Sequence, residues 1–237
     1  MHCHFLVSGN AKKDVIYEVE RLRDGKSFAS RAVRALQDDR CIFTTTASFA
    51  KREERSGKSV VTHAAQMPQD LRAPRIEDQM SSLDPMHLVP LDVTQDKDVS
   101  RRKARWWLKA RGPISDVSNS DHHSAAIAYM SDNILIEAIA MIHGLRCSWR
   151  KNRGESSNFT PTGPGDVSMM VSLSHAIHFH ETQGFRADDW LLSEVESPWS
   201  GHERGVVLQK IYAPNGKLIA TCYQEVSGPT ENLNALG

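Results

Sequence analysis

The chain has 237 residues, 40% hydrophobic and 24% charged, a composition that fits a globular protein of one large domain or two small ones. Its 29 basic and 29 acidic side chains cancel, so the charge balance gives no support for binding nucleic acid or an anionic membrane surface, both of which favour a basic excess. Cys3, Cys41, Cys147 and Cys222 are scattered and form no CxxC pair, which predicts free thiols in a reducing compartment, and no apolar run is read as approaching the roughly 20 residues of a membrane span.

In chain order, a short N-terminal segment (1–49) comes first. Residues 50–100 follow, rich in charge, proline and polar residues (KREERSGKS, MPQDLRAPRIEDQ), and are expected to form a connector that is partly disordered. "RKARWWLKA" (102–110) predicts a strand. "SDHHSAAIAYMSDNILIEAIAMIHG" predicts a helix capped at Ser120 or Asp121 and ended by Gly144; it is apolar on nearly all sides, so it should be buried. Strands are expected at 167–180, "DDWLLSEVES", "RGVVLQKIYA" and "KLIATCYQEV", with a hairpin turn at Pro214-Asn215-Gly216 between the last two. Residues 101–228 thus read as one complete β-α-β-β-β-β unit, followed by a tail at 229–237.

The N-terminal segment repeats the C-terminal strands at a gapless offset of 176. Glu18-Val19-Glu20 falls on Glu194-Val195-Glu196, Gly25 on Gly201, Ile42-Phe43 on Leu218-Ile219, Asp38-Asp39 on Pro214-Asn215, and His2 and His4 on His178 and His180. Met1 then falls opposite Ile177, so the first unit is expected to lack its first strand, its helix and half of its second strand, and to be the less stable of the two.

Three residues stand out chemically. Asp132 is a carboxylate in the middle of the apolar helix, suited either to a polar crevice or to acid–base and water-orienting work. Gln224 lies on the apolar face of the last strand with Leu218, Ala220, Cys222 and Val226, either a satisfied core amide or a functional one. In "SLSHAIHFHE" (172–181), His178 and His180 have the spacing of two metal ligands on a strand, with Glu181 adjacent. No cysteine or acidic motif completes a ligand set, so polar strand histidines are the default and no metal is expected.

"YEVERLRDGKSFASRAVRALQDDRCIFTTTASF" (17–49), "AYMSD" (128–132), "SLSHAIHFH" (172–180), "FRADDWLLSEVESPWSGHERG" (185–205) and "GKLIATCYQE" (216–225) resemble the TesB-type (type II) acyl-CoA thioesterases, most closely the eukaryotic peroxisomal members. The resemblance implies an α+β double hot-dog fold: two β-α-β-β-β-β units side by side, each sheet wrapped on a long helix, here with the first unit lacking its helix. It implies cofactor-free hydrolysis of acyl-CoA to fatty acid and CoA in fatty-acid metabolism, with water activated by Asp132, Ser172 and Gln224. Ser172 would be no nucleophile. Simple alternation puts Ser172 on the less apolar strand face, so a bulge near it is required if it is to approach the helix. Homo-oligomerisation through the sheets and a peroxisomal location are implied as well, although the final Ala-Leu-Gly does not match the Ser-Lys-Leu address, which leaves the cytoplasm as the other expectation. The aspartate common before the strand histidine is Ser174 here. The competing expectations are a weakly active, truncated paralogue serving as a binding or assembly partner, then a hot-dog enoyl-CoA hydratase, and last a metal hydrolase.

Overall fold

A computed structural model describes residues 1–50, 62–75, 85–114, 120–147, 166–167, 169–181 and 183–228. The tail expected at 229–237, and residues 51–61 and 76–84 of the expected connector, lie outside the described residues. In chain order the elements are β1 (His2–Phe5), β2 (Ile16–Asp24), β3 (Phe28–Gln37), β4 (Arg40–Ala50), β5 (Met86–Val93), β6 (Lys103–Ala110), α1 (Ser120–Ile142), β7 (Arg146–Cys147), β8 (Asp166–Val167), β9 (Val171–Phe179), β10 (Leu191–Gly201), β11 (Arg204–Tyr212) and β12 (Leu218–Ser227).

The chain divides into two units, Met1–Ala64 with Leu173–Ala176, and Ala65–Ser172 with Ile177–Gly237. The first is an antiparallel sheet in the order β2-β3-β4-β1, with Ser174–Ala176 of β9 paired to β1. Among its described residues there is no helix. The second orders its main strands β12-β11-β10-β6-β5, all antiparallel, and α1 packs across β6, β10, β11 and β12. The fold is a double hot-dog with the helix present in the second unit.

α1 fits its sequence closely. Ile127, Met130, Ile134, Leu135, Ala138 and Ile142 are each 1% exposed or less, and on the strands that α1 packs across Trp106, Leu108, Val195, Val207, Ile211 and Ala220 are buried to the same degree. Gly144, at φ +75°, ends the helix: its N–H reaches the Met141 carbonyl and the Leu145 N–H reaches that of Ala140, the paired bonds of a Schellman cap. By length and composition α1 could cross a membrane, contrary to the expectation from the sequence, but most of it is buried inside the chain, as a core helix is.

The connector expectation needs correction. Residues 86–93 form β5, paired with β6 from Met86↔Ala110 to Val93↔Ala104. β5 is an edge strand, where a proline is tolerated, and its register shifts beside Pro90, between Pro90 and Asp92. Met67 and Leu71, also from the expected connector, cover a second apolar cluster of Trp107, Leu192 and Tyr212 on the sheet face opposite α1.

The repeat is real in its ladders but not gapless. Glu18↔Arg34 and Glu194↔Lys210 keep the 176 offset, and the register shifts at Ala35/Leu36 and Ile211/Tyr212 fall at equivalent places. The hairpins then differ. Asp38 and Asp39, at φ 49° and 60°, make a two-residue turn, whereas Pro214-Asn215-Gly216 is one residue longer, so Ile42 corresponds to Ile219. The Leu6 N–H bonds the Ile42 carbonyl as the His180 N–H bonds that of Ile219. Leu6 therefore corresponds to His180 and His4 to His178, while His2 falls on Ala176. The expected match of His2 with His178 and His4 with His180 was two residues out because the 181–190 loop is longer than its counterpart.

Candidate active site

The polar groups under α1 gather around Cys222. β12 alternates without a break from Ala220 to Val226, so Ala220, Cys222, Gln224 and Val226 all point inward and are 1% exposed or less. Burial pushes the Cys222 thiol up to about 12, helped by the charge of Asp132 and opposed by a hydrogen bond to Ser131, which places both helix residues beside it. Ser131 is fully buried, and its Oγ donates to the Ala128 carbonyl at 3.0 Å. Asp132, the next residue on α1, is half-buried.

Gln224, 0% exposed, donates from Nε2 to Ser172 Oγ at 2.5 Å. Two of the three expected residues are therefore in direct contact, and the third lies beside Cys222, two positions from Gln224 on the same face. Ile177, at the far end of β9, is buried, and simple alternation from it would turn Ser172 away from the inner face, yet Ser172 bonds the inward-facing Gln224.

The histidines take other parts. His178 is exposed, and His180 Nε2 lies 2.7 Å from Thr221 Oγ1, with partial burial lowering its pKa. Among the described residues no group of three or more His, Cys, Asp or Glu side chains could hold a metal ion. His123, buried in the first turn of α1, accepts the Ala187 N–H on Nδ1 at 3.1 Å and ties the helix start to the loop before β10.

Sequence reasoning missed Ser131, Cys222 and a second amide–hydroxyl pair, Gln209 Nε2 to Ser193 Oγ at 2.8 Å, both residues 0% exposed. The signal for Gln209 was available: it sits between Val207 and Ile211 on the inner face of β11, a polar residue in an apolar alternation, as Gln224 does on β12.

Residues 60–227 match the family described as "Acyl-CoA thioesterase C-terminal domain", and residues 1–50 match its "Acyl-CoA thioesterase N-terminal domain" counterpart. The chain belongs to the acyl-CoA thioesterase family. It is 30% identical to human acyl-coenzyme A thioesterase 8 over 95% of this chain and 71% of the human protein. It is 22% identical to the peroxisomal acyl-coenzyme A thioester hydrolase 1 of Saccharomyces cerevisiae, covering 77% of that protein. In structure it is similar to the acyl-CoA thioesterase II TesB2 of Mycobacterium marinum, with a TM-score of 0.72 and 28% identity, covering 98% of this chain and 80% of the other. A hot-dog protein from Alicyclobacillus acidocaldarius, TM-score 0.58 at 14% identity, shares the fold. As an acyl-CoA thioesterase by family, the chain is a thioester hydrolase.

Proposed function

We propose that this chain hydrolyses fatty acyl-CoA by direct attack of water, with Asp132, Ser172 and Gln224 as the catalytic group. The observation that carries the reading is the Gln224–Ser172 hydrogen bond inside the buried face that Asp132 borders. The Asp132 carboxylate accepts a proton from water as its oxygen attacks the thioester carbon. Because Ser172 Oγ accepts from Gln224, its own proton remains to be donated, and Gln224 fixes the hydroxyl that donates it. This donor suits the oxyanion that develops on the carbonyl oxygen. The C–S bond then breaks, and the CoA thiolate takes up the proton that Asp132 accepted. Ser172 forms no covalent bond.

The test is release of free thiol from acyl-CoA by the purified chain, compared with Ser172→Ala and Gln224→Leu. Losses of about 10²-fold in kcat are expected, the scale for removing an oxyanion donor. Wild-type rates in both folded variants would reject the group. Fatty-acid metabolism, a peroxisomal site of action and association through the sheets are proposed with it; the similarity to a peroxisomal yeast thioester hydrolase supports the compartment.

A second reading, a weakly active assembly or binding partner, is favoured by the first unit. Tyr17, Val19 and Phe49 are 65%, 62% and 58% exposed there, an apolar face without cover among the described residues. Poor solubility alone and rescue on co-expression with a homologue would support it, whereas a homogeneous, fully active protein would exclude it.

A further inference from the structure

The amide of Gln209 has one unused end. Nε2 donates to Ser193 Oγ, while Oε1 is fully buried with no hydrogen-bond partner. Buried acceptors are almost always satisfied, and the usual agent where no protein donor is present is an interior water. Position says what such a water would serve. On the β11–β12 ladder Gln209 is directly opposite Cys222, and Val207, two residues away, is opposite Gln224. All four side chains are buried on the face that α1 covers, where Ser131 and Asp132 lie beside Cys222. Gln209 thus borders the catalytic group from the side away from Ser172. Two amide–hydroxyl pairs of the same make, Gln224–Ser172 and Gln209–Ser193, flank Cys222, and only the first has been given a role.

We propose that Gln209 is a positioning residue for the hydrolysis: its Oε1 accepts from a buried water lodged between β11, Cys222 and α1, and the second proton of that water is donated to the Asp132 carboxylate. The inference rests on the catalytic reading of Asp132. Ser193 fixes the far end of the amide, so Oε1 is aimed rather than free to turn. The water in turn holds one carboxylate oxygen, which leaves the other oriented for the attacking water. The thiol of Cys222, kept protonated by burial, lines the water without adding a second charge.

The experiment is Gln209→Met, close in volume and without the unused acceptor, assayed for thiol release from acyl-CoA alongside a thermal melt. We expect a folded protein whose Tm is not lowered, with kcat down about tenfold and KM within about twofold. A folded Gln209→Met with kcat within about twofold of wild type overturns the proposal, because a merely structural amide would give that result. Should Gln209→Met fail to fold, Ser193→Ala frees the amide at little cost in volume; a several-fold fall in kcat supports the proposal and an unchanged kcat overturns it. Asp132→Asn separates the two claims. If it is inactive while Gln209→Met is fully active, only this inference falls; if it is fully active, the catalytic reading falls first.

Discussion

Glu194 is a carboxylate 5% exposed on β10, held at 3.0 Å by both Lys103 Nζ and Arg105 Nε. Those two cations sit on β6, directly across the ladder from Glu196 and Glu194 respectively, and Arg105 also reaches Asp92 on β5 at 3.5 Å. The network lies on the outer face with Tyr212, whose phenol is pushed up to about 12 by burial and then by Glu194 and Glu196. Removing one partner of a buried pair strands the others, a loss of about 3–5 kcal/mol when burial is complete. Lys103 is one-third exposed, so Glu194→Ala should cost about 2 kcal/mol, read from the urea midpoint with kcat retained. At this scale the sequence was legible where a polar residue interrupted an apolar pattern, as Asp132 and Gln224 do. Gln209 carried the same mark and was passed over. Ser172 was reached through its motif, since alternation alone placed it on the wrong face. Glu194 was invisible because outward-pointing glutamates on strands are ordinary until the partners across the ladder are known.

Elements depend on how closely α1 can approach the sheet. At Gly205 on β11 an added Cβ would stand 2.1 Å from Ile139 Cδ1 and 3.3 Å from its Cγ1. Ile139 is buried, so its terminal methyl has limited room to move. Gly205→Ala should therefore lower stability by about 1 kcal/mol, measured by thermal or urea unfolding, and Ile139→Val should offset part of that loss in the double variant. Helix, hairpin and the last four strands were readable from periodicity and turn residues. β5 was not, because its proline and charges suit an exposed edge as well as a linker. The length of the 181–190 loop and the extra residue in the second hairpin were also hidden, since a gapless comparison cannot register them.

The two units differ most in what covers their inner faces. Val195 and Val226 are 0% and 1% exposed in the second unit, while their counterparts by register, Val19 and Phe49, are 62% and 58% exposed in the first. Strand amides under a packed helix open only with the core, so β10–β12 should exchange hydrogen at least about 100-fold more slowly than β2–β4. Equal protection, read by exchange mass spectrometry, would mean that the first sheet is covered in solution. Acid should weaken the protein as well. His87 and His143 have pKa values lowered by burial and then by neighbouring cations, and His180 by burial. The folded state resists protons that the unfolded chain accepts below about pH 6.5, so this contribution is complete above that pH and is lost as pH falls below it. Asp98 and Asp188, whose pKa values are lowered, lose their contributions only nearer pH 4 and below, so a fall in Tm between pH 7 and 5 reports the histidines. A flat Tm over that interval would contradict the assignment.

Hydrolysis by water activated at Asp132 is read from kcat for thiol release with Asp132→Asn. That change keeps the shape of the side chain and removes its charge. Asp132→Asn should fold and show kcat reduced by about 10²-fold or more. A folded Asp132→Asn protein that releases thiol at the wild-type rate would contradict it.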